Sequence, residues 1–431
     1  MDPREALAVL GGLEKFGMRF RLDAMEHMLR ALGNPERELR AIHVGGTNGK
    51  GSVCAFLTSA LIEAGQRVGT YTSPHLVAFE ERIALDGAPI APATMAALVE
   101  EVVPALEVAR KAGHEPTYFE AATAMALQHF ASQKVDVAVV EVGLGGRLDA
   151  TNVFEAPLCS VVTNVSLDHT DVLGPTVEQI AWDKAHILRA GRPGVTAADG
   201  AALEVLRGVA AERGCSLGTL DRVTWARRAA NLDAQVFELR TPALDYDAVR
   251  TRLLGDHQMV NAALAARALE ECAAEGVLVS PAQFRAGAAA ARWPGRLHVV
   301  ARRPDVILDG AHNPSAVEAL ARFVAQGPWE EVHLVVGVLA DKDHAAMAAR
   351  LGPLAARVVC TEPPSPRRLP ADQLAAELRR HARRVEVEPS PAAALDRAVR
   401  GAPSHALVLA TGSLYLVGAL LAARVVRAPG A

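Results

Sequence analysis

Aromatic side chains make up only 4% of this 431-residue chain, too few for the facing layers of a β-sandwich, yet half of its residues are hydrophobic. Alanine, leucine and valine carry that burial, a composition suited to helices packed on parallel sheets. An excess of charge of one sign is also missing: 45 lysines and arginines against 49 aspartates and glutamates leave a formal net charge of −4, with no basic stripe. Nucleic acid and anionic membranes are therefore poor candidates for a main partner. Cysteine is sparse. Cys54, Cys159, Cys215, Cys272 and Cys360 are scattered, with no C-x-x-C pair, and read as reduced core residues. Apolar runs such as Ala406–Ala410 are too short to cross a bilayer. The opening residues, with Asp2, Arg4 and Glu5, lack the basic-then-apolar order of a signal peptide, so a soluble cytoplasmic protein is expected.

At this length two domains are expected. Trp293-Pro294-Gly295-Arg296 gives the sharpest break, dividing the chain into residues 1–292 and 297–431. Apolar positions at helical spacing (Leu7, Leu10, Leu13, then Leu22, Met25, Leu29) predict two amphipathic helices, broken by Gly11-Gly12 and Gly17 and covering the edge of a sheet. Strands are expected over 41–44, 67–71, 135–140 and 158–163, and helices over 53–64, 93–112, 117–129 and 177–188. Residues 191–254 are less regular, with short strands near 223–226 and 234–239, and an alanine-rich helix follows 255–258. Beyond the break, strands near 305–308, 332–336, 356–360, 384–388 and 405–410 alternate with helices near 314–326, 343–350, 370–383, 390–400 and 413–425. That alternation predicts a second, doubly wound α/β unit. Pro363-Pro364-Ser365-Pro366 reads as a structural break.

The chemistry starts at Gly45-Gly46-Thr47-Asn48-Gly49-Lys50-Gly51-Ser52, between a strand and a helix. Glycines let the backbone aim several N–H groups inward, the helix offers its positive end, and Lys50 can reach outer phosphates. The usual G-x-x-x-x-G-K-[ST] pattern is departed from twice: Val44 stands at its first glycine, and Gly51 follows the lysine, with Ser52 one residue late. A nucleoside triphosphate is the expected guest. Other strand ends supply polar groups to the same edge: Ser73 and His75 after the second strand, Glu141 at the end of 135–140, and Asp168-His169 beyond 158–163. Glu141 is the first candidate ligand for a divalent metal, and Ser73 and His169 join it. Tyr118 and Phe119 offer faces for a flat heterocycle, with core packing as the competing fate. Gly143 to Asn152 lets a ligand approach backbone closely, with Arg147 and Asp149 able to fix it. Lys184 lies on a helix and reads as solvated. Asp309 to Pro314, Gly337 to Asp343 and Thr411 to Ser413 mark a polar edge of the second unit.

Several long stretches together resemble folylpolyglutamate synthase, often bifunctional as dihydrofolate synthase, in the superfamily of Mur ligases. They are GTNGKGS at 46–52, SPHL at 73–76, TYFE at 117–120, EVGLGGRLDATN at 141–152, HQ-x-x-NA at 257–262, DGAHNP at 309–314 and TGS at 411–413. The resemblance implies a P-loop ATPase-like central domain followed by a smaller Rossmann-like C-terminal domain, the first binding ATP and pterin and the second serving glutamate ligation. It implies an ATP-dependent acid–amino-acid ligase that joins L-glutamate to a dihydropteroate or reduced folate through an acyl phosphate.

The resemblance also implies site residues. Thr47, Asn48, Gly49, Lys50, Gly51 and Ser52 would hold ATP with Asn261, Arg296 and Asp309. Ser52, Ser73, Glu141 and His169 would hold two Mg²⁺ ions, alongside a monovalent cation such as K⁺. Thr117, Tyr118, Phe119, Glu120, Leu148, Asp149 and Ala150 would line the pterin site, and His312 and Ser413 the glutamate site. Lys184 would be carbamylated and act with Lys50, Glu141 and His169 in catalysis, although Asp183 and His186 depart from the family's pattern there. A monomer is implied. The rival readings are a Mur-type ligase for another carboxylate, a P-loop kinase and a nucleotide-dependent binding protein.

Overall fold

The computed structural model describes residues 1–14 and 21–423. Its larger sheet has Ala41–Gly45 at the centre, every residue buried, with Val137–Glu141 and Cys159–Val162 parallel to it on either side. Burial on both faces explains why these strands are unbroken apolar runs. Val68–Tyr71 extends the sheet one way, followed by the antiparallel Ile83–Leu85 and Ala88–Pro89. Pro193–Thr196 and Ser216–Gly218 extend it the other way in parallel. The strands that end at Tyr71, Gly45 and Glu141 are thus close neighbours at their carboxyl ends, with Ser73 just beyond the first.

On one face Lys50–Glu63 is buried among Asp256–Cys272, Pro281–Ala290 and a three-stranded antiparallel sheet of Thr224–Ala230, Gln235–Arg240 and Asp245–Thr251. Pro281–Ala290 approaches so closely that a Cβ on Gly287 would stand 2.5 Å from the backbone of Ala60. Backbone cannot swing aside as a side chain can. Gly287→Ala is expected to lower stability by about 1–3 kcal/mol, measured by urea unfolding.

The other face is covered by Pro92–Lys111 and Tyr118–Ser132, onto which Pro3–Glu14 and Asp23–Ala31 pack. The two N-terminal helices therefore lie on other helices rather than along a sheet edge. Gly11-Gly12 does not break the first of them. Both glycines are exposed and each costs helix propensity, but buried Ala6, Leu10 and Leu13 hold the turns together. The break expected at Gly17 falls outside the described residues. Residues 191–254 are more regular than expected: they hold Gly200–Arg213, a helix missed in the sequence, and five strands. That helix begins with glycine, is followed by Gly214 and has a narrow apolar face, Leu203, Leu206 and Val209 being its larger buried side chains. The three-stranded sheet exposes most of Thr224–Ala230, so its pattern is polar.

The second sheet runs His298–Ala301, Asp305–Leu308, Leu407–Thr411, Val332–Val336, Arg357–Cys360, Val385–Val387. All neighbours are parallel except the first pair. The last strand in the chain sits between Asp305–Leu308 and Val332–Val336, which brings Asp309, Ser413 and the loop after Val336 to one edge. All five cysteines are buried and unpaired. No helix among the described residues is long and apolar enough to cross a membrane.

Candidate active site

The carboxyl ends of the two sheets face a shared cavity of about 600 Å³. The residues that the family resemblance assigns to nucleotide, metal, pterin, glutamate or catalysis all line it, from Thr47 to Ser413, whereas His75 and Arg147, also marked in the sequence, do not. At its floor is the glycine loop. Gly46 and Gly49 have φ of 131° and 88°, backbone that side chains avoid, and a Cβ on Gly49 would stand 2.5 Å from Oδ1 of Asn261. The neighbouring strand end clamps the loop: Thr47 N donates to Asn164 O (2.8 Å), Asn48 N to Asn164 Oδ1 (2.9 Å), and Thr163 Oγ1 to Asn48 O (2.7 Å). Lys50 opens the helix and folds its Nζ back onto the carbonyls of Gly46 and Thr47, each at 3.2 Å. Ser52 Oγ accepts from Gln258 Nε2 (3.1 Å), and Gln258 Oε1 accepts from Asn261 Nδ2 (3.0 Å).

Glu141 ends its strand 4% exposed, with Oε2 accepting from Ser73 N at 3.1 Å. Burial raises its pKa against the opposing pull of Lys50. Across the cavity, Asp309 is fixed by its own loop and by the segment before the second sheet, accepting from Ala311 N (2.9 Å) and Leu297 N (2.8 Å). Ser413 caps Leu414–Ala422, accepting from Tyr415 N at 3.1 Å, and His312 Nδ1 lies 2.8 Å from Gly310 O.

Asp168 joins the two halves. Its Oδ1 accepts from Lys342 Nζ (2.7 Å) and its Oδ2 from Asn313 Nδ2 (2.8 Å), while Asn313 also exchanges amide hydrogen bonds with Asn48 of the loop (3.1 and 3.2 Å). His312 and His169 flank the same carboxylate at 3.7 and 3.9 Å. Burial alone would raise the Asp168 pKa, but Lys342 and the two imidazoles outweigh it and hold the group well below the usual range. Burial, reinforced by Lys342, lowers both imidazoles to about 4, so both rings are neutral near pH 7. Asp168→Asn would strand the buried Lys342 ammonium, and is expected to cost about 3 kcal/mol or more in urea unfolding.

Lys184 lies in Val177–Ala185 and, against its reading as a solvated helical lysine, is 4% exposed. Its Nζ donates to Gly46 O at 3.0 Å, and burial, then the nearby Lys50, lowers its pKa to about 7. Gly145 and Gly146 pack onto this helix: a Cβ on Gly146 would stand 2.9 Å from the carbonyl of Lys184. Arg147 pairs with Asp183 at 3.7 Å outside the cavity lining.

Toward the remaining wall, Thr117 and Glu120 form a capping box at the start of Tyr118–Ser132, with Thr117 Oγ1 donating to Glu120 Oε2 at 2.8 Å. Phe119 lies over Gly143, and Arg82 stands 5.2 Å from the centre of the Tyr118 ring. Leu148, Asp149 and Ala150 follow on the glycine turn, Asp149 accepting from Leu144 N and from Thr151 N and Oγ1. Sequence reasoning gave no role to Asn164, Gln258, Arg82 and Lys342. Gln258 lies inside the HQ-x-x-NA stretch, Asn164 directly follows the strand at 158–163 and Lys342 lies at a polar strand end, so position was the available signal; Arg82 offered none.

Among the described residues, no three His, Cys, Asp or Glu side chains gather into a ready-made metal site. Of the residues expected to hold a metal, Glu141 brings a buried carboxylate, Ser52 and Ser73 bring hydroxyls and His169 a neutral imidazole. That donor set fits Mg²⁺, which favours oxygen, keeps several waters and takes further ligands from substrate phosphates.

Residues 44–269 match the Mur ligase middle domain and residues 295–414 the Mur ligase glutamate ligase domain. The dihydrofolate synthase/folylpolyglutamate synthase of Bacillus subtilis is 38% identical over 420 residues, covering 96% of this chain and 97% of that one. A Mycobacterium tuberculosis folylpolyglutamate synthase, solved with ADP and AMPPCP, superposes with a TM-score of 0.91 at 34% identity, covering 98% of this chain and 99% of that one. Escherichia coli FolC, solved with DHPP and ADP, gives 0.88 at 32% identity, with 98% and 97% covered. The chain belongs to the dihydrofolate synthase/folylpolyglutamate synthase family of Mur ligases.

Proposed function

We propose that this protein ligates L-glutamate to the carboxylate of a dihydropteroate or reduced folate, with ATP converted to ADP and phosphate. The observation that carries this is a single cavity that sets a glycine loop, Lys50, Glu141 and Lys184 on one side against Arg296, Asp309, His312 and Ser413 on the other. A carboxylate is a poor acyl donor because its oxygen does not leave. The substrate oxygen first attacks the γ-phosphorus and ADP departs, giving an acyl phosphate; the glutamate amine then attacks the acyl carbon, phosphate leaves, and nitrogen loses a proton.

Loop N–H groups and Lys50 would hold the phosphates, with Asn261, Arg296 and Asp309 reaching the nucleotide from around the cavity. Ser52, Ser73, Glu141 and His169 would hold two Mg²⁺ ions, whose chemistry is to offset charge on the transferring phosphoryl group. Tyr118 and Phe119 would flank the pterin with Thr117, Glu120 and Leu148 to Ala150, and His312 and Ser413 would receive glutamate. Enclosure between two domains, 1–292 and 297–431, limits hydrolysis of the acyl phosphate.

The test is phosphate release by the purified chain, taken as a monomer, with ATP, L-glutamate and either dihydropteroate or tetrahydrofolate, followed by mass spectrometry. Release that requires glutamate, with a product heavier by one glutamyl unit, supports the ligase and identifies the acceptor. Release indifferent to glutamate and both pterins refutes it. Omitting Mg²⁺, and exchanging K⁺ for Na⁺, reads the two cation requirements in the same assay.

A further inference from the structure

Glycine, rather than serine or threonine, follows the loop lysine, and the packing around it supplies a reason. The indole of Trp293 lies against Gly51: a Cβ there would stand 2.5 Å from Cε2 of the ring and 2.6 Å from Nε1. Gly51 is the second residue of Lys50–Glu63 and has no left-handed φ, so space and not backbone conformation excludes a side chain. Trp293 is half-buried and packs on the cluster that contains Val53, Phe56 and Leu57 of the same helix.

A few residues on, the same segment is tied to the second sheet. Gly310 N donates to Gly295 O (2.8 Å), Leu297 N donates to Asp309 Oδ2 (2.8 Å), and Arg296 between them lines the cavity. Residues 293–297 therefore join the first turn of the loop helix to the strand end that carries Asp309. No role assigned so far uses the tryptophan.

We propose that Trp293 is a positioning residue for the nucleotide. Its indole fills the space beside Gly51 and fixes the first helical turn, so that Ser52, not position 51, presents a hydroxyl to the phosphates. It also transmits occupancy of the loop to the segment bearing Arg296. The proposal rests on the glycine loop being the nucleotide site, and its test uses ATP binding alone. Failure of the glutamate-ligase reading and failure of this proposal are thereby separable.

The test is a double-mutant cycle read by calorimetric ATP affinity. Gly51→Ala is expected to weaken ATP binding about tenfold in the native background and less than about twofold beside Trp293→Ala, because the space is then free. Equal losses in both backgrounds overturn the proposal, as does a Trp293→Ala protein with a lowered melting temperature but native ATP affinity. Should Gly51→Ala fail to fold, Trp293→Phe decides the matter by intrinsic fluorescence, with Trp182, Trp225 and Trp329 retained. Loss of the ATP-induced emission change while ATP still binds supports the coupling. Persistence of that change overturns it.

Discussion

Lys50→Met is expected to abolish ATP-dependent ligation, lowering kcat about a thousandfold, while leaving the melting temperature close to native. The two halves of that expectation have different origins. Methionine keeps the aliphatic stem at the start of Lys50–Glu63, and the hydrogen bonds lost are those of Nζ to the carbonyls of Gly46 and Thr47 at 3.2 Å. The loop retains its clamps from Thr163 and Asn164, which do not involve the lysine. Catalysis has no such reserve. Charge accumulates on the phosphoryl oxygens as they transfer, and a fixed cation in a water-poor cavity is worth far more there than in solvent. Lys184, the other amine on the loop carbonyls, has its pKa lowered chiefly by burial, which persists in the variant, so it does not replace the lost charge fully. Single-turnover measurement of acyl-phosphate formation checks this. A variant that retains more than a tenth of native kcat would show that Lys50 binds the loop and not the reaction.

How much of this site was legible depended on where its residues sat along the chain. Strand-end residues could be placed because a parallel sheet sends its carboxyl ends to one edge, so Ser73, Glu141 and His169 followed from three apolar runs. Across the cleft, Asp309 and Ser413 followed in the same way from alternating strands and helices. Lys184 could not, since nothing in Val177–Ala185 shows that Gly145 and Gly146 will press onto that helix and bury its amine. Asp168 shows the same limit: its partners Lys342 and Asn313 are 174 and 145 residues away, a pairing set by how the two sheets face each other. In the fold, Gly200–Arg213 was missed because a helix with a narrow apolar face and glycine at both ends resembles a loop. Pro3–Glu14 was cut short in reading because two exposed glycines look like a break when the partners of Leu10 and Leu13 are out of view.

That buried amine leads to the second large effect. Carbamylation joins the lysine nitrogen to the carbon of CO₂ and releases a proton, so only the neutral amine reacts. An ordinary lysine is neutral in about one molecule per thousand near pH 7.5, whereas Lys184, lowered to about 7 chiefly by burial, is neutral in a large share. The product is a carboxylate-like group beside Lys50, an oxygen donor that would add to those of Glu141, Ser52 and Ser73. Lys184→Ala is expected to lower kcat about a hundredfold, with partial recovery in acetate, and carbon-13 bicarbonate should give a carbamate signal that the variant lacks. The unmodified amine has a signature of its own in CO₂-depleted buffer. The folded pKa lies below the unfolded value, so the unfolded chain holds the extra proton between about pH 7 and the ordinary lysine pKa of 10.5, and stability rises with pH across that window. Lys184→Met should therefore be more stable than the unmodified protein below pH 7, by on the order of a few kcal/mol, and the gain should vanish as the pH approaches 10.5. A gain independent of pH would mean that the amine is already modified or not buried as described, and native turnover in Lys184→Ala would remove the lysine from the mechanism.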